Sequence, residues 1–123
     1  HMVGIGPFIP HHDTPFGEWA QGSLTQTLTM VALTRLLLPG TLLPATTALG
    51  TIHPEGRELG LRAGANVVMP NLSPAAVRSQ YSLYDKKAYT GDEAAEGLES
   101  LKRRVKAAGY QVVTDRGDSR LGQ

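Results

Sequence analysis

The sequence contains no cysteine, and this absence limits its chemistry more than any other feature of its composition. Iron–sulfur clusters are held by cysteine thiolates, so these 123 residues cannot hold one through that ligand. Aromatic side chains are also few, at 6% of residues, and neither charge dominates, since 12 basic residues stand against 11 acidic ones. Proteins that bind single-stranded nucleic acid combine basic grooves with stacking aromatic residues. We therefore expect no nucleic acid partner.

Long hydrophobic runs are absent as well. The apolar run at residues 36–38 is bounded by Arg35 and Pro39, and it falls far short of the roughly 20 residues that span a bilayer. No signal-peptide pattern is visible. These features predict a cytoplasmic protein without membrane contact. His1 and Met2 resemble the remnant of a removed tag, and we treat residues 3–123 as one domain.

Two short apolar segments organise the rest of the chain. Residues 43–48 and 66–69 have the composition of buried strands, and a helical pattern at residues 54–63 separates them. This order predicts a βαβ unit, in which ligands bind at the carboxyl ends of the parallel strands. Thr46, Thr47 and Met69 lie at or near those ends. Threonine also favours strands and methionine also fills gaps in a core, so their positions alone leave both explanations open.

Further patterns predict elements on either side of this unit. Residues 3–8 read as a strand that ends at prolines, and residues 24–38 read as a helix with a capping box at its start. The apolar surface of this helix is wide, so we expect it to be largely buried against a sheet. Residues 93–108 form a second amphipathic pattern with a glycine at its end, and residues 112–113 suggest an edge strand.

Three segments, taken in order, resemble one known family. Residues 3–15 (VGIGPFIPHHDTP), residues 27–39 (TLTMVALTRLLLP) and the two predicted strands are similar to the C-terminal part of the [FeFe]-hydrogenase maturation radical S-adenosylmethionine (SAM) protein of the HydE type. That family is related to biotin synthase, and this part is its biotin-and-thiamine-synthesis-associated segment. The resemblance implies an α/β fold, a partial (β/α) TIM-type barrel with about three parallel strands. A whole barrel needs roughly 200 residues or more.

The same resemblance implies roles for seven side chains around the barrel cavity. Family residues that contact SAM correspond to Met69, Tyr81 and Leu83, and those that bind anionic groups of a ligand correspond to Thr46 and Thr47. Tyr84 corresponds to a tyrosine beside the reacting carbon and is the implied catalytic residue, and His11 would hydrogen-bond a small-molecule ligand at the barrel mouth. Packing of the last helix onto the sheet is the alternative role for the tyrosines.

One cluster contains residue types that bind metals, namely His11, His12 and Asp13. Neighbouring histidines in an extended loop point in different directions, and no further histidine or cysteine follows at the spacing that zinc sites use. The sequence therefore predicts no metal site.

The sequence is compatible with two functions. The chain is either the cavity-wall segment of a radical SAM enzyme, whose SAM and [4Fe–4S] cluster belong to a longer protein, or a free-standing binding or assembly module without catalysis. Lacking cysteine, the chain alone should be inactive. A sheet cut from a barrel has open edges, so we also expect a homo-oligomer, unless the final helix folds back over the open face.

Overall fold

The computed structural model describes residues 1–70 and 98–118. Its first element is α1, Leu24–Leu37, which begins after Ser23, as its capping pattern predicts. The Ser23 hydroxyl accepts a hydrogen bond from the backbone N–H of Gln26 at 3.4 Å. The helix ends one residue earlier than predicted, because Leu38 leaves the helical conformation, with φ −130° and ψ 70°.

Two strands form the sheet in the part of the chain that the structure describes. β1, Pro44–Ala45, pairs in parallel with β2, Val67–Val68, so that Pro44 lies opposite Val67. The strand predicted at residues 66–69 is confirmed at its centre. The strand predicted at residues 43–48 is too long, because the chain turns at Thr46 into α2, Thr47–Ile52. Burying Leu49 completely in this helix outweighs the strand preference of the threonines.

The strand predicted at residues 3–8 is not formed, although the chain at its beginning pairs with Leu42, two residues before β1. Met2 and Leu42 form an isolated parallel bridge, and the N–H of Val3 donates to the Leu42 carbonyl at 3.0 Å. Pro7 has no N–H to continue a ladder. The described sheet therefore has two strands instead of three, too few to show a barrel. The two residues assigned to a tag remnant also take part in the pairing, because the His1 carbonyl accepts from Leu42.

The helix predicted at residues 54–63 is shorter in the structure, where α3 spans Gly56–Arg62. Gly64 follows with φ +119°, as expected for a left-handed glycine at a helix end. At Gly56, close packing and not a positive φ requires glycine. A Cβ atom there would lie 1.9 Å from the Leu49 carbonyl oxygen, so α2 and α3 pack too closely for any side chain at this position.

The core joins these elements to α4, Leu98–Ala107, which is the described part of the helix predicted at residues 93–108. Gly109, with φ +93°, follows the helix end. The buried cluster draws on α1, the sheet, α3 and α4, and its members are Val31, Ala45, Leu61, Ala65, Leu101 and Val105. Val112 packs against this core, and residues 112–113 lack the strand pairing that we predicted. No helix among the described residues is long and apolar enough to cross a membrane.

The outward face of α1 contradicts the prediction that this helix is largely buried. Only Thr27 and Val31 of α1 are buried. Leu36 and Leu37 are each 78% exposed, and Met30 and Leu33 are about half exposed. A helix that is apolar all round normally contacts other protein on every side. The described residues cover one side of α1 and leave an outer stripe open, formed by Met30, Leu33, Leu36 and Leu37.

Candidate functional site

The candidate site lies at the carboxyl ends of the parallel strands. Thr46 and Thr47 directly follow β1, and Met69 directly follows β2. Because neighbouring parallel strands end at the same edge of a sheet, these residues share that edge. Thr47 is exposed and Met69 is 50% exposed, so the edge is open to solvent at both strands. The predicted placement of these residues at strand ends is therefore found, although Thr47 is the first residue of α2 and not part of a strand.

Thr46 has the most informative environment of these residues. It occupies the N-cap position of α2, yet its side chain makes no capping hydrogen bond. Its hydroxyl oxygen is buried and has no hydrogen-bond partner among the described residues. Threonine at an N-cap usually accepts from the first turn of the helix, and a buried hydroxyl without a partner costs stability. The hydroxyl therefore has no hydrogen bond among the described residues to lose if it turns to a ligand.

Gly6 brings a third chain segment to this edge. A Cβ atom at Gly6 would lie 2.9 Å from Oγ1 of Thr46, so residues 3–8 pass directly beside the threonine. Earlier in the same two segments, Met2 and Leu42 already lie side by side in a parallel bridge. A side chain at position 6 would push against the hydroxyl. Because position 6 is a glycine, the Thr46 hydroxyl is the polar group where these two segments touch.

His11 follows the same segment and is held in a turn of its own. Its Nδ1 atom accepts from the backbone N–H of Asp13 at 3.1 Å. Its carbonyl oxygen accepts from the N–H of Thr14 at 3.1 Å and from the Thr14 hydroxyl at 2.8 Å. The side chain is half-buried. These bonds fix the turn, and the predicted contact of His11 with a ligand stays a prediction.

The remaining predicted site residues, Tyr81, Leu83 and Tyr84, lie outside the residues that the structure describes. The predicted convergence of Tyr84 with Thr47 and Met69 on one cavity therefore stays a prediction.

An aromatic cluster in residues 8–19 was not predicted from the sequence. The ring of Trp19 packs edge-on against Phe8, at 6.4 Å between centroids, and against Phe16, at 5.0 Å. All three are at least 43% exposed. A signal was present in the sequence, because the only tryptophan and both phenylalanines fall within residues 8–19.

A groove of about 830 Å³ lies away from the candidate site, between α4, residues 111–118 and the sheet. Its lining is mostly apolar and includes Leu42, Val68 and Val112. It is also bordered by Pro70 and Leu98, the two residues that flank the undescribed residues 71–97. The groove contains none of the predicted site residues, and the strand ends remain the better candidate because Thr46, Thr47 and Met69 lie there.

Comparison with known proteins gives the family context of this site. No family model matches the chain. Over 116 residues, 94% of the chain, it is 48% identical to the [FeFe] hydrogenase maturase subunit HydE of Thermotoga maritima. The chain is similar to HydE. The resemblance that the sequence motifs predicted is thereby confirmed.

Two other relatives show the breadth of this similarity. The chain is 31% identical over 110 residues to the 3-methylornithine synthase of Methanosarcina barkeri and 28% identical over 110 residues to that of Methanosarcina acetivorans. It spans about a third of the length of the curated relatives that it matches. HydE similarity therefore covers nearly all of this chain but only part of the HydE protein.

Proposed function

We propose that the chain is the C-terminal cavity-wall segment of a radical SAM enzyme similar to HydE, folded as part of a TIM-type barrel. The observation that carries this proposal is the partnerless, buried hydroxyl of Thr46 at the carboxyl end of β1, in a chain 48% identical to HydE. Ligands of parallel α/β folds bind at such strand ends. The described residues give this hydroxyl no partner, and a ligand in the cavity would supply one.

Each residue of the proposed site has a distinct role. Thr46 and Thr47 bind anionic groups of the ligand, and His11 donates or accepts a hydrogen bond from the loop that follows residues 3–8. Met69, exposed after β2, packs against SAM together with Tyr81 and Leu83. Tyr84 lies beside the reacting carbon. The described geometry supports the placement of Thr46, Thr47 and Met69 at one edge, and the other roles rest on the resemblance.

The two cofactors of the family fit this chain differently. The exposed side chain of Met69 supplies an apolar contact of the kind that SAM requires. No residue here fits a [4Fe–4S] cluster, because the chain has no cysteine to supply a thiolate. In this proposal the cluster is held by a part of the enzyme outside these 123 residues. The 123-residue chain therefore forms no 5′-deoxyadenosine by itself.

A second function is a free-standing binding or assembly module derived from a radical SAM barrel. The outer stripe of α1 favours it, since an open apolar helix face is typical of a surface that contacts another protein. The module would bind without chemistry. It would then have no need of cluster cysteines.

A chimera separates the two functions. The matching third of Thermotoga HydE is replaced by residues 3–123, and the chimera is reconstituted anaerobically with iron and sulfide. If the chain is a cavity wall, the chimera forms 5′-deoxyadenosine from SAM at a rate within tenfold of HydE, while the isolated chain forms none. A folded, cluster-loaded chimera without this activity would favour the binding module. Cluster absorbance and product formation by the isolated chain would show that the account of the missing cysteines is wrong.

A further inference from the structure

We propose that His11, His12 and Asp13 form a binding site for a divalent transition metal ion, with Zn²⁺ as the representative ion. One nitrogen from each histidine and one carboxylate oxygen lie within 4.8 Å of one another. The sequence reasoning rejected a metal here because neighbouring histidines of an extended loop point apart. In the structure the two rings stack instead, with 4.7 Å between centroids and 17° between planes.

The pair formed by His12 and Asp13 already has the spacing of two metal ligands. Nε2 of His12 lies 3.2 Å from Oδ1 of Asp13. Zinc binds such atoms at about 2.0–2.2 Å, so two ligands of a tetrahedral ion lie roughly 3.4 Å apart. A metal ion can therefore replace the proton between these atoms with almost no movement of either side chain.

His11 completes the site after a rotation of its ring. The lone pairs of two stacked rings lie in parallel planes and do not point at a common position. One ring must therefore rotate before both histidines can coordinate the same ion. Nδ1 of His11 accepts the N–H of Asp13, so Nδ1 has the lone pair and Nε2 carries the ring proton. Coordination therefore replaces this hydrogen bond at Nδ1, while the two bonds to the His11 carbonyl still hold the turn. Rotations of solvent-accessible side chains take picoseconds to nanoseconds, so this adjustment is kinetically easy.

The backbone that carries the three ligands is held in place. Thr14 donates two hydrogen bonds to the His11 carbonyl. Gly17 packs against the same turn, because a Cβ atom there would lie 3.0 Å from the His11 carbonyl oxygen and 3.1 Å from Cα of His12. A turn that is already ordered loses less conformational entropy when a ligand binds. These contacts distinguish the cluster from three polar residues on a mobile tail.

The ligand set indicates the class of metal. Two imidazole nitrogens and one carboxylate oxygen are typical of zinc and of other late first-row ions, whereas Mg²⁺ and Ca²⁺ prefer sets made of oxygen. Three protein ligands leave at least one position for water. The site shares His11 with the proposed cavity but uses neither Thr46 nor Thr47, and its test, zinc binding by the 123-residue chain, does not depend on their role.

The test is isothermal titration of the 123-residue chain with ZnCl₂ in buffer without chelators. We expect one equivalent to bind and the affinity to fall at least tenfold in His12→Asn and in Asp13→Asn. His1→Ala and His53→Asn are the matched controls, since they remove the other two histidines and should leave the affinity unchanged. Binding that His1→Ala abolishes, or that His12→Asn and Asp13→Asn leave intact, would overturn the proposal.

A second readout does not depend on any variant folding correctly. Nuclear magnetic resonance of the unmodified chain should show zinc shifting the imidazole signals of His11 and His12 but not that of His53. The indole of Trp19 provides a local reporter in the same loop, because it is the only tryptophan and packs on Phe16. Shifts confined to His1 or His53, or no shifts at all, would contradict the site.

Discussion

The two ends of the strands use their polar groups differently. At the amino end, Arg35 donates from Nε to the Gly64 carbonyl and from Nη1 to the carbonyls of Pro39 and Thr41, each at 2.8 Å. Its Nη2 is buried without a partner among the described residues, so three strong bonds from the same guanidinium accompany one unpaired nitrogen. The Asn66 side chain accepts from the N–H of Leu43 at the same end. At the carboxyl end, the buried hydroxyl of Thr46 has no partner among the described residues, and Met69 is half exposed.

This contrast separates groups that stabilise the fold from groups that the fold leaves for a ligand. Arg35 ties the end of α1 to the turn before β1 and to Gly64, which lies 29 residues later. Its hydrogen bonds involve a charged donor, and such bonds contribute more than neutral ones. Thr46 stabilises nothing comparable. In barrel folds the carboxyl ends of strands carry function and the amino ends carry stability, and the proposed function assigns this chain the same division.

The largest expected effect is at the amino end. Arg35→Met leaves the carbonyls of Pro39, Thr41 and Gly64 without their charged donor, and we expect it to lower the free energy of unfolding by about 3 kcal/mol. Urea denaturation followed by circular dichroism measures this loss. Arg62→Met, at an exposed position of α3, is the control. A loss of stability below about 0.5 kcal/mol in Arg35→Met would show that Arg35 does not stabilise the amino end of the strands.

A smaller effect concerns the ion pair that joins α3 to α4. Arg104 contacts Glu58 through Nε at 2.5 Å and through Nη2 at 2.9 Å. Burial raises the pKa of Glu58, but hydrogen bonds from Arg104 and the backbone, with the charges of Arg104 and Arg57, hold that pKa below its usual range. A lowered pKa means stability that is present above the ordinary value of about 4.3 and lost as the pH falls through the folded-state value.

Glu58→Gln should therefore lower the free energy of unfolding by about 1 kcal/mol at pH 7. Below about pH 4 it should no longer show the loss of stability that comes from protonating Glu58. Denaturation midpoints at several pH values measure both. Glu99→Gln is the control, because Glu99 pairs with Lys102 on the exposed side of α4. If the pH profile of Glu58→Gln matches that of the unmodified chain, the pair does not stabilise the fold.

The outer stripe of α1 should affect assembly and leave stability nearly unchanged. Its side chains are apolar and carry no charge, so two copies of the stripe can pack together without repulsion, and we expect the chain to self-associate through it. Leu33→Glu should give a mass of 13.2 kDa in light scattering at tens of micromolar. Val113→Glu, which changes an exposed apolar residue elsewhere, should keep the oligomer. A monomeric unmodified chain would refute the self-association.

Much of the local structure was predictable because it depends on short-range rules. The start of α1 at Ser23, the positive φ of Gly64 and the centre of β2 all follow from capping, turn and strand preferences. The turn of the chain into α2 did not follow. Threonine, alanine and leucine suit a strand as well as a helix, and the burial of Leu49 against α3 decides between them.

The candidate site was predictable in position but not in its details. The strand ends could be found from two apolar segments, because ligands of parallel sheets bind there. The lack of a partner for the Thr46 hydroxyl depends on how closely Gly6 passes, and no local pattern records that contact. Arg35 was read only as an interruption of an apolar run. Its role requires carbonyl groups from the turn before β1 and from Gly64.

The most direct test of the division between the two ends is Thr46→Val in the chimera with HydE. The valine keeps the shape of the side chain and removes only the hydroxyl. We predict a thermal midpoint at least as high as that of the threonine protein, because the buried hydroxyl has no partner to lose. We also predict retained 5′-deoxyadenosine formation and at least a tenfold loss of hydrogenase maturation, because the ligand loses a hydrogen-bonding group. A lower thermal midpoint with maturation unchanged would contradict the account, since it would show that the hydroxyl stabilises the fold and not the ligand.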